Sequence, residues 1–94
     1  MSNDRMTHPS LWLAIDLLAA RNKMTTSGLA RHAGLDPTAF NPSKRVSKHG
    51  RWSWPSSETV ARILAATDTS PETFVRLLRK AQKELLLVDR GSGN

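Results

Sequence analysis

The sequence predicts an all-α domain of five short helices, and three observations carry that prediction. Apolar residues recur at helical spacing in several segments. No segment alternates apolar and polar residues as a strand does. Helix-starting and helix-stopping residues punctuate the chain at short intervals. Ninety-four residues suffice for one small domain. There is no cysteine, so neither a disulfide nor a thiolate metal site can form, which fits a reducing, cytoplasmic setting. The start Met1-Ser2-Asn3-Asp4-Arg5-Met6 lacks the apolar stretch of a signal peptide, and no apolar run approaches the roughly 18–20 residues of a membrane span.

The first helix is expected from about Pro9 to Asn22, where Leu11, Ile15 and Leu18 share a face with Trp12 beside them. The second begins with Thr25 or Thr26 as N-cap and ends at Gly34. Its apolar face is Leu29, Ala30 and Ala33. Gly34 suits a turn that needs positive φ. Asp36 can cap a third helix that starts at Pro37 and carries Phe40 back toward the second. Pro42 kinks or terminates that helix near residues 41–43, because proline has no N–H to donate and clashes with a preceding carbonyl. Residues 44–55 read as a loop. The fourth helix follows Ser56 or Ser57 and presents Val60, Ile63 and Leu64. The fifth has Ser70 as N-cap and Pro71 at its first position, with Phe74, Leu77, Leu78, Ala81 and Leu85 on one stripe. Residues 1–7 and 89–94 are expected as flexible ends of a domain spanning 8–88.

Charge is unevenly distributed. The chain carries a net +6. Residues 1–36 hold four basic and three acidic residues, and residues 58–94 hold six and five. Residues 37–57 hold Lys44, Arg45, Lys48 and Arg51 with no acid. A positive field thus falls on the third helix and the loop after it. Two short helices joined by a tight turn, the second followed by cations, form a helix-turn-helix pattern, in which the second helix enters the DNA major groove.

The residues that carry this pattern resemble a known family. The Ala30–Gly34–Phe40 spacing, with Leu29 and Leu35, is similar to the phage repressor/Cro-type helix-turn-helix. The run Gly28-Leu29-Ala30-Arg31-His32-Ala33-Gly34-Leu35-Asp36-Pro37-Thr38-Ala39-Phe40-Asn41, then Ser43-Lys44-Arg45 and Arg51-Trp52-Ser53-Trp54-Pro55-Ser56, resembles the N-terminal DNA-binding domain of LexA-like self-cleaving bacterial repressors. The resemblance covers roughly residues 8–78. It implies a five-helix lambda-repressor-like domain and a transcriptional repressor. Two departures stand out. Pro42 sits where such a recognition helix usually continues. Ser43 occupies a position often filled by an aliphatic residue, whose packing Val46 would then supply. No serine–lysine domain follows the fifth helix in this sequence, so no self-cleavage is expected of it.

The expected site follows residue by residue. Thr38 and Asn41 face outward near the start of the third helix, and Asn pairs bidentately with adenine. Pro37 and Ser43 complete that surface. Lys44, Arg45, Lys48 and Arg51 suit phosphate contacts, and Arg45 can also reach a guanine. Thr26 opens the second helix, whose free N–H groups suit a phosphate; a plain N-cap is the alternative. Trp54 is expected to pack inward and pin the loop, whereas Trp52 either stacks on the nucleic acid or packs. His8, His32 and His49 have no metal-ligand spacing, and no serine sits in a nucleophile elbow, so neither a metal, a cofactor nor catalysis is expected.

Leu85, Leu86, Leu87 and Val88 cannot all lie on one helical stripe, because consecutive residues turn about 100° apart. They read as a homodimer seam, with core closure or a linker root as alternatives. The sequence thus points to a homodimer on double-stranded DNA with a two-fold symmetric site. A protein-interaction module of the antitoxin or antirepressor type and an RNA-binding regulator are the rival readings.

Overall fold

A computed structural model describes the backbone of residues 8–46 and 53–92, with side chains over residues 9–46 and 53–86. Five helices follow one another: α1 His8–Arg21, α2 Thr26–His32, α3 Pro42–Arg45, α4 Ser57–Ala66 and α5 Pro71–Ser92. Among the described residues there is no strand, so the domain is all-α as expected. No helix among them is long and apolar enough to cross a membrane.

The helix starts follow from local side-chain chemistry. Thr25, rather than Thr26, caps α2, its hydroxyl accepting from the Gly28 N–H at 3.0 Å. Ser56 caps α4 through the Thr59 N–H at 3.1 Å, and Ser70 caps α5 through the Thr73 N–H at 3.1 Å. Each hydroxyl satisfies a first-turn donor that has no partner inside its helix.

One device ends three of the helices. Beyond α1, the Met24 N–H reaches back to the Ala19 carbonyl at 2.9 Å and the Lys23 N–H to Ala20 at 3.0 Å. Beyond α2, Leu35 reaches Ala30 at 2.8 Å and Gly34 reaches Arg31 at 3.0 Å. Beyond α4, Thr69 reaches Leu64 at 2.8 Å and Asp68 reaches Ala65 at 3.2 Å. All three are Schellman motifs, which need a left-handed residue just past the helix. Lys23 (φ 58°), Gly34 (φ 76°) and Asp68 (φ 51°) supply it.

The core is built on α1. Leu11, Trp12, Ala14, Ile15, Leu18 and Ala19 are buried there, together with Leu29 and Ala30 of α2, Phe40, Ile63 of α4, and Phe74, Leu77 and Ala81 of α5. The principal packing is α1 on α5, with α2 lying on α1 and α4 on α2. Leu13, Leu17, Val60, Leu64 and Leu78 close the margins. The α5 stripe read from the sequence is therefore the buried one, with Leu85 half-buried at its end.

Two expected boundaries are corrected. The third helix does not start at Pro37. Residues 37–40 form consecutive turns, with Ala39 N–H to Asp36 C=O at 2.9 Å and Asn41 N–H to Thr38 C=O at 3.1 Å. A single helical turn then begins at Pro42. A helix running through from Pro37 would drive the Pro42 ring into the Thr38 carbonyl. Restarting at Pro42 puts proline at a first-turn position, where its missing N–H costs nothing. The other correction is at α5, whose backbone stays helical to Ser92, four residues past the expected limit of 88.

Candidate nucleic-acid interface

The segment from α2 through α3 presents its polar residues outward by anchoring the residues between them. Asp36 follows the Gly34 turn, and its Oδ1 accepts from the Thr38 N–H at 2.8 Å and the Thr38 hydroxyl at 2.6 Å. These two bonds, with the Lys44 ammonium adding a smaller pull, hold the Asp36 carboxyl below its ordinary value. Pro37 and Thr38 are exposed above this turn. Phe40 then dives into the core, 1% exposed, its ring meeting Trp12 edge-on with centroids 6.4 Å apart. Asn41, Pro42, Ser43 and Lys44 are all exposed. Asn41 stands at the N-cap of α3, yet its side chain makes no capping bond, so the amide is available. Val46 is half-buried just beyond.

Arg45 corrects the sequence reading. It does not extend toward a ligand but folds inward, its side chain only 16% exposed. Its Nη2 and Nη1 donate to the two Asp16 oxygens at 2.6 and 3.0 Å, and its Nε donates to the Phe40 carbonyl at 2.9 Å. The guanidinium carbon lies 5.2 Å from the centroid of the Trp12 ring. A bidentate carboxylate, a backbone acceptor and an aromatic face together use most of what a guanidinium offers. Arg45 is therefore committed to the fold and is not placed to read a guanine or neutralise a phosphate.

The expected inward tryptophan is also corrected. Trp54 is 51% exposed, and among the described residues the buried indole is Trp12 at 4%. Trp12 instead pins the loop, its Nε1–H donating to the Ser53 carbonyl at 2.8 Å. Ser53 in turn donates its N–H to the Arg45 carbonyl at 2.7 Å. Trp12 supplies the inward anchor expected of Trp54, which lies at the surface.

Thr26 lies half-buried at the start of α2. Lys48, Arg51 and Trp52 lie outside the described residues, as does His49. Of the four expected phosphate contacts, Lys44 is thus the one the structure describes as exposed. Leu86 is 41% exposed on α5, and Leu87 and Val88 belong to that helix with side chains outside the described set. Among the described residues no cluster of histidine and carboxylate groups could hold a metal ion.

Two residues that hold the framework of this segment were not singled out for that role by the sequence. Asp16 is the one acid of α1, and it lies one turn after Trp12 on the same face. Its partner Arg45 lies 29 residues away, so no local spacing marks the pair. His32 is the other. Its Nε2 lies 3.0 Å from the Ala66 carbonyl, tying the end of α2 to the end of α4.

Comparison of the chain with protein-family models, with curated proteins and with solved structures gives no match.

Proposed function

We propose that this chain is a sequence-specific double-stranded DNA-binding regulator of the phage-repressor helix-turn-helix type, a cytoplasmic repressor that acts as a homodimer on a two-fold symmetric operator. The observation that carries the reading is the exposure of Thr38, Asn41, Ser43 and Lys44 in the segment that follows a capped, glycine-closed α2. Asn41 supplies a donor and an acceptor suited to an adenine edge, and Lys44 supplies a cation for the backbone. The acid-free 37–57 segment supports the same partner. Exposed Leu86 supports the two-fold contact along α5. Repression follows from occupying promoter DNA, and no catalytic step is part of this reading.

One observation favours a second reading, a helix-turn-helix protein-interaction module. At four residues, α3 is shorter than the helix that usually fills a major groove. A turn of this length can dock on a protein as readily as on a base pair.

Selection from a random duplex pool, with sequencing of the retained DNA, separates the two. The DNA reading expects a symmetric motif with half-sites about one helical turn apart. Failure to enrich any motif, with binding no stronger to duplex than to single-stranded RNA, refutes it.

A further inference from the structure

We propose that Asp16 is a specificity-determining positioning residue: it holds Arg45 as the rear anchor of the Asn41–Lys44 turn and so fixes that turn for base reading without touching the ligand. The proposal rests on duplex binding by that turn.

The turn cannot hold itself. α3 has no buried residue and no side-chain cap, and one helical turn is too short to be stable alone. Its geometry comes from the residues on either side. Phe40 is buried in front, and Arg45 folds inward behind. The two anchors are themselves joined, because the Arg45 Nε–H bonds the Phe40 carbonyl at 2.9 Å. Asp16 then fixes this closed unit to α1 through both carboxylate oxygens. A bidentate pair sets direction as well as distance. Base-edge recognition tolerates errors of only about 0.5 Å, whereas attraction to phosphates depends mainly on charge. Loss of Asp16 should therefore erode sequence preference and leave charge-driven binding intact.

The opposite role makes the opposite prediction. If Arg45 contacted DNA directly and Asp16 held it back, removing the carboxylate would free a cation and tighten binding to the preferred duplex.

The experiment uses the full chain, the duplex enriched from the random pool, and a scrambled duplex of equal length at one salt concentration. Affinities are measured for the wild type, Asp16→Asn, Asp16→Glu and Arg45→Lys, with thermal unfolding of each. The selected-to-scrambled affinity ratio should fall about tenfold or more in Asp16→Asn, the worth of one well-placed base pairing. Scrambled-duplex affinity should hold or rise slightly, because a negative charge is gone. Asp16→Glu, which keeps a carboxylate, should recover part of the ratio. An Asp16→Asn variant with an unchanged or higher ratio overturns the proposal. If Asp16→Asn does not fold, Arg45→Lys decides, since it keeps the charge and loses the fork: a fallen ratio supports the proposal, an unchanged one overturns it. A wild type that enriches no motif refutes the DNA reading and this proposal with it. A motif that survives Asp16→Asn unchanged refutes the proposal alone.

Discussion

The indole N–H of Trp12 donates to the carbonyl of Ser53, 41 residues further along the chain, at 2.8 Å. That bond fastens Ser53 to α1. The same ring carries Arg45 on its face and Phe40 at its edge. Trp12→Phe keeps much of the apolar bulk but removes the donor and weakens the cation–π contact. The expected loss is about 1–2 kcal/mol of stability, read from the shift of the denaturant midpoint. A midpoint equal to the wild type would mean that the bond contributes nothing.

The three Schellman endings differ in residue type but not in geometry, which makes them a controlled comparison. Lys23 adopts a left-handed conformation that costs a side-chain-bearing residue about 1–2 kcal/mol, partly offset in a glycine variant by its freer unfolded chain. Lys23→Gly should stabilise the domain by about 0.5–1 kcal/mol on that balance. Gly34→Ala should destabilise it by about 1 kcal/mol. An added Cβ at Gly34 would meet nothing nearer than Arg62 Nη1 at 3.8 Å, so that loss isolates the backbone cost. Thermal unfolding of both variants gives the signs directly.

Protonation of Asp36 should unmake its turn. The Thr38 hydroxyl and N–H hold the carboxyl below its usual 3.8. A depressed folded pKa adds stability above the unfolded value, and that stability is lost as pH falls through the folded pKa. The Thr38 amide resonance should therefore titrate with a midpoint below 3.8, in step with the Asp36 carboxyl. A midpoint at or above 3.8 would show the two hydrogen bonds to be absent in solution.

On DNA, Asn41 and Lys44 should separate cleanly. Asn41→Ala should cost about 1–3 kcal/mol on the enriched duplex and much less on scrambled DNA. Lys44→Gln should weaken binding to both alike and lower the log–log salt slope by about one for each phosphate that Lys44 neutralises. Titrations at several salt concentrations test both variants together. Equal losses of Asn41→Ala on the two duplexes would make Asn41 a positioning residue rather than a base reader.

What the sequence disclosed was what short-range chemistry decides. Ser56, Ser70 with Pro71 and Gly34 act on neighbours three residues away, so their roles could be read from spacing, whereas Asp36, read as a helix cap, holds a turn at Thr38 instead. The helical stripes of α1 and α5 were legible for the same reason. The start of α3 was not, because Pro37 and Pro42 are both acceptable first-turn residues, and the burial of Phe40 against Trp12 goes with the later one. Arg45 was misread because its partner lies 29 residues away, a separation that no local pattern encodes. Trp54 was misread because α1 already supplied an indole to the core. Lys23 and Asp68 gave no sign of their left-handed backbone, since neither is the glycine that usually marks it.

The packing of α1 on α5 also governs when the domain can exist during synthesis. The chain emerges from the ribosome with α1 first, and that helix's main cover is made last. A nascent chain ending before Pro71 carries capped, correctly ended helices, with α2 against α1, but lacks the principal cover of α1. Folding should then wait for α5 rather than proceed helix by helix, with the apolar face of α1 incompletely covered until it arrives.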